Sequence, residues 1–223
     1  MVGVLGVSAS AILVRFSQAP SGVTAAYRLG WTVLLLLPVV LLRCRAELRR
    51  VTARDLVLCG ASGVLLALHF LTWFESLKRT SVASSTVLVS TEVIFTALGF
   101  ALFLHGKIPR LGVWAILLAF GGSALLALSG GGGAGELSGN LLALAAASAA
   151  AVYTLIGRIQ RGHLSTTVYT FLTYLACFLT LLLGTAAAGT PLTGYGGREW
   201  LIGLALAVLC TLLGHSLFSW CLK

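Results

Sequence analysis

The chain has 223 residues, 58% of them hydrophobic, with 15 Lys and Arg against 6 Asp and Glu. Charged residues are 9% of the total, against about 25% in an ordinary soluble domain, so neither a soluble surface nor a disordered chain fits. Five cysteines without paired spacing exclude a secreted disulfide scaffold, and a mean hydropathy of +1.01 leaves an all-α integral membrane protein.

A helix that crosses a bilayer needs about 20 mainly apolar residues. Residues 2–16 form a short first span ending near Arg15. A signal peptide there would need a basic leading region and a small-residue cleavage site, and neither is present. The reading is a first span whose beginning is clipped or whose start is placed late. The turn Ala19-Pro20-Ser21-Gly22 leads into a second span at 23–42. Arg43, Arg45, Arg49, Arg50 and Arg54 fill the next connection, before a span at 56–77. Spans at 82–104 and 111–129 are separated by Gly106 to Arg110. A glycine-rich stretch at 130–135 follows, then spans at 139–157, 166–188 and 200–222. Eight spans use nearly the whole chain, and connections this short make neighbouring helices antiparallel.

The net charge of +9 does not point to nucleic acid, because no basic stripe interleaves with aromatics. Lys and Arg concentrated on the cytoplasmic side explain it. With the N-terminus inside, the inner connections hold Arg43, Arg45, Arg49, Arg50, Arg54, Lys107, Arg110, Arg158, Arg161 and Lys223. The outer ones hold Arg15, Lys78, Arg79 and Arg198, and Arg28 lies within a span. The bias of ten to four places the N-terminus in the cytoplasm, in a multi-pass protein of the cell membrane.

Self-comparison suggests a duplication. His69 to Lys78 in the third span matches His215 to Lys223 in the eighth at an offset of 145–146. Pro20 to Thr24 and His163 to Thr167 match at an offset of 143. The repeats are therefore 1–130 and 137–223, joined by a linker at 131–136. Five spans precede that linker, so the second copy enters from the opposite side, as an inverted-topology repeat. The first copy runs about 50 residues past Lys78 and the second stops at Lys223, so two further helices are expected. The surface they would cover is bare, and a second copy of the chain, forming a homodimer, is one way to cover it.

Several segments resemble the drug/metabolite transporter superfamily, in its ten-helix EamA-type branch. They are Ala19-Pro20 with Tyr27-Arg28, Ser76 to Ser85, Gly112 to Leu128 with Gly121-Gly122, Leu137 to Ala145, and Thr211 to Gly214. Two departures stand out. Helix four of the family usually carries a central proline, where this chain reads Ser90-Thr91-Glu92-Val93. It also usually ends in Gly-Glu before a basic residue, where this chain reads His105-Gly106-Lys107. The resemblance implies a secondary active transporter, an exporter of small organic metabolites or drugs working by alternating access. The alternative is a truncated, non-transporting membrane protein or assembly partner. A receptor-like sensor would normally carry a signalling domain.

The residues rank the candidate sites. Glu92 lies ten residues beyond Val82, hence roughly 15 Å deep, half of a ~30 Å core. A carboxyl there costs ~2.5–3.5 kcal/mol and should face the bundle interior. It either contacts substrate or protons, or hydrogen-bonds a neighbouring helix, with His69 as the nearest polar partner by depth. Arg28 either attracts anionic solute or, more simply, snorkels or pairs with Glu75; Glu75 also has Arg79 at i+4. His69 and Trp73 share a stripe of the third span. With His215, the repeat counterpart of His69, they either line a substrate path or fill the core. Ser84 and Thr91 belong to a polar vein on one face of the fourth span. Gly121-Gly122 and the alanines at 143, 147 and 151 read as packing residues. No catalytic or phosphate-binding motif appears, and the four histidines lack metal-site spacing, so neither enzyme activity, metal nor cofactor is expected. The expected partners are a small solute and the lipid bilayer.

Overall fold

The computed structural model describes residues 2–106, 108–129 and 134–215, all in helices and their connections. The helices are α1 (Val2–Phe16), α2 (Ser21–Arg43), the single turn α3 (Arg45–Leu48), α4 (Ala53–Arg79), α5 (Val82–Ser90) and α6 (Glu92–Phe103). They continue with α7 (Arg110–Ser129), α8 (Ala134–Gln160), α9 (Thr166–Ala187) and α10 (Gly197–Ala205), which runs into a wide π-helix, Leu206–His215. Within the described residues each expected span therefore coincides with a helix or a consecutive helix pair, and residues 216–222 of the eighth lie outside them. Among the described residues five are long and apolar enough to cross a membrane: Ser21–Arg43, Ala53–Arg79, Val82–Phe103, Gly135–Gln160 and Thr166–Ala187. Within the described residues the first, fifth and eighth expected spans are shorter. Of the expected linker, residues 131–133 lie outside the described residues. Leu42, Phe103, Leu111 and Leu118 are among the most exposed side chains, which suits a lipid-facing surface rather than water.

Local chemistry sets the helix ends. Ser81 and Ser165 cap α5 and α9 by accepting from the N–H groups of Ser84 and Val168. Gly189, at φ +65°, closes α9 in the left-handed conformation, with Thr190 N–H bonded to Thr185 O at 3.1 Å. The fourth span is broken without a proline. Ser90 Oγ donates to Thr86 O at 2.7 Å and Thr91 Oγ1 to Leu88 O at 2.6 Å, and such back-bonding bends helices.

The chain forms two compact units, Met1–Ala67 with Ile156–Lys223, and Leu68–Leu155. Each draws on both expected repeats. In the first unit α2 packs along α9 and α1 against the π-helix. Small residues permit the approach: a Cβ on Gly63 would lie 2.5 Å from Ala176 Cβ, and one on Gly203 2.7 Å from Tyr27 Cβ. In the second unit α8 turns Ala143, Ala146, Ala147, Ala150 and Ala151 inward, and Phe70, Trp73 and Phe74 of α4 are buried too. The alanine face is as expected. Gly121 and Gly122 are not packing residues here: nothing lies within 4 Å of a Cβ added at either, because that face of α7 is turned outward.

Candidate functional site

In the second unit three of the candidate residues, Ser84, Glu92 and His69, each meet α8. Asn140 Oδ1 accepts from Thr80 Oγ1 and from Ser84 Oγ, both at 2.9 Å, and all three residues are buried. Ser76 Oγ donates to Ser85 Oγ at 2.9 Å beside them. Ser84 is thus engaged by a residue that did not stand out in the sequence. Asn140, Ala147 and Thr154 repeat every seven residues and so share one face of α8.

Thr154 meets Glu92. The Thr154 hydroxyl donates to Glu92 Oε1 at 2.9 Å, and Glu92 is half-buried. Glu92 opens α6 just past the helix break, the eleventh residue of the Val82–Phe103 span. No basic side chain forms an ion pair with it among the described residues. The expected partnership with His69 does not form. His69 Nδ1 lies 3.0 Å from Ala146 O, one α8 segment away from Thr154, because its side of α4 meets the alanine face of α8. Its ring stacks with Trp73 at 5.7 Å and 30°. Trp73 is buried, and its indole N–H has no hydrogen-bond partner among the described residues. Ser84, Leu88 and Thr91 are buried, and Glu92 beside them is half-buried.

Arg28 belongs to the first unit, and it does not snorkel. It is fully buried, donating from Nε to Thr211 Oγ1 at 2.8 Å and from Nη1 to Ser10 Oγ at 3.1 Å. Thr211 Oγ1 in turn donates to Leu206 O at 3.2 Å, five residues back, so the π-helix presents a hydroxyl to the guanidinium. Arg28 ties α1, α2 and the π-helix together, while Glu75 pairs with Arg79 at 3.0 Å. The side chain of His215 lies outside the described residues.

Two features of the first unit escaped sequence reasoning. Buried Glu199 accepts from Ser17 Oγ at 2.6 Å and from Gln18 N–H at 3.0 Å, joining the α1–α2 connection to the start of α10. Nearby, Tyr27, Trp31, Phe178 and Trp200 line a cavity of about 340 Å³, with Tyr27 stacked on Trp200 at 4.1 Å. The clue was the polar opening of the last span, but nothing local says which helices it meets. Among the described residues no cluster of His, Cys, Asp and Glu could hold a metal ion.

Helices of bilayer length, apolar outside and with buried hydroxyls, define a multi-pass membrane protein. The chain belongs to the EamA-like transporter family, which it matches over residues 1–128 and 137–223, and it is a membrane transporter of small solutes by that membership. Seventeen chains of known structure match it. One, reported as "Crystal structure of protein", superposes with a TM-score of 0.63 at 19% identity, over 99% of this chain and 78% of that one; the likeness is one of fold. No curated protein sequence matches.

Proposed function

We propose that the protein is a proton-coupled secondary transporter that exports small organic solutes across the cell membrane, its N-terminus in the cytoplasm. Two inverted repeats, 1–130 and 137–223, would rock about a midplane site. The separate family matches on either side of the glycine-rich stretch support that division.

The observation that carries the reading is Glu92. A carboxyl midway along a membrane span, at a helix break, with a neutral hydroxyl for a partner, is costly to keep, and such groups mark ion and substrate pathways. A group dry in one state and wetted in the other can take up and release one proton per cycle. Among the described residues no cation pairs with it. The test is proton movement in proteoliposomes of the full chain, recorded as amino acids, nucleosides and aromatic amines are added singly. At least one solute should drive a proton flux that protein-free vesicles lack. Solute transport with no proton movement would refute the coupling.

A further inference from the structure

The connection between α2 and α4 carries Arg43, Arg45, Arg49, Arg50 and Arg54, all five exposed. Two acids lie in the same stretch, and neither neutralises an arginine. Glu47 Oε1 accepts from the N–H of Ser165, the N-cap of α9, at 2.6 Å. Asp55 Oδ2 accepts from Thr52 N–H at 3.0 Å and from Thr52 Oγ1 at 2.7 Å, while its Oδ1 accepts from Gln160 Nε2 at 3.2 Å. Among the described residues, no ion pair ties any of the five guanidiniums to the protein. The acids anchor the loop to the ends of α8 and α9 and leave the positive charge facing outward.

The flanking turns fix the depth of this charge. Leu41, Leu42, Leu56 and Val57 are 51%, 84%, 52% and 70% exposed, so the helix ends on both sides of the loop present hydrocarbon to lipid. The arginines therefore sit where a bilayer carries its phosphates. A guanidinium fork matches phosphate oxygens bidentately, and basic clusters beside a span attract anionic headgroups. An insertion signal would need only the number of charges, not acids turned away from them.

We propose that the α2–α4 connection is a binding site for anionic phospholipid headgroups, held ready by Glu47 and Asp55. The test is native mass spectrometry of the full chain in neutral detergent, titrated with phosphatidylglycerol or phosphatidylcholine. Phosphatidylglycerol should bind at least about tenfold more tightly, and the preference should fall as ammonium acetate is raised. Replacing Arg45, Arg49 and Arg50 with Gln should bring the two lipids close to parity. The same change at Arg15, Arg79 and Arg110 should leave the preference intact. Equal binding of both lipids by the unaltered protein would overturn the proposal, and so would a preference insensitive to salt, a test that needs no variant. Loss of preference in the control variant would reduce the effect to net charge and overturn it. Displacement of the lipid by inorganic phosphate at equal concentration would show a free-phosphate site, and overturn it as well.

Discussion

Asn140 shows how a residue with no motif becomes structurally important. Its one carbonyl oxygen serves two buried hydroxyls, those of Thr80 and Ser84. Asn140→Ala would leave both donors without this acceptor in a buried site. Hydrogen bonds between membrane helices are worth about 0.6 kcal/mol on average and up to about 1.7, so a loss of about 1–2 kcal/mol is expected. Unfolding of the detergent-solubilised protein by SDS would measure it, and an unchanged midpoint would contradict the network. Ser84 was legible as a polar residue on a buried face. Its partner was not, because the pairing depends on which helices adjoin. The same limit explains His69: its depth was readable from the helical rise, but its rotational facing, and hence Ala146 O rather than Glu92, was set by packing.

At the scale of the element, hydropathy and length located the helices well. The expected spans 23–42, 56–77 and 166–188 became Ser21–Arg43, Ala53–Arg79 and Thr166–Ala187. The break in the fourth span was hidden because hydroxyl back-bonding, not proline, makes it. Helix contact was legible only in part, since a glycine announces the possibility of close approach but not which side is used. Two glycines of α4 separate these cases. A Cβ on Gly63 would lie 2.5 Å from Ala176 Cβ and 2.7 Å from both Thr173 O and Cys177 N, while one on Gly60 would meet nothing within 4 Å. Gly63→Ala must push α4 from α9 and should cost about 1–3 kcal/mol. Gly60→Ala should be neutral or stabilise by up to about 1 kcal/mol. Thermal unfolding of the two variants side by side checks the contrast, and equal effects would sink the α4–α9 packing.

Across the first unit, connections pair at two ends in the alternation that the short loops predict. Ser17 and Gln18 meet Glu199 at one end, and Glu47 meets Ser165 at the other. In a cysteine-free background, single cysteines at 20 and 194 should therefore share accessibility, and those at 47 and 162 should share the opposite one. The basic asymmetry adds that 20 and 194 label from outside. Labelling of 47 from outside would reverse the orientation, and mixed labelling within a pair would break the topology.

The central claim is that Glu92 couples solute movement to protons, and Glu92→Gln tests it most directly. Glutamine keeps the shape and the Thr154 contact while removing the titrating group. In proteoliposomes, that variant should retain solute counterflow at zero pH gradient and lose accumulation driven by an imposed gradient. Gradient-driven accumulation equal to the parent's, at every pH, would contradict the account.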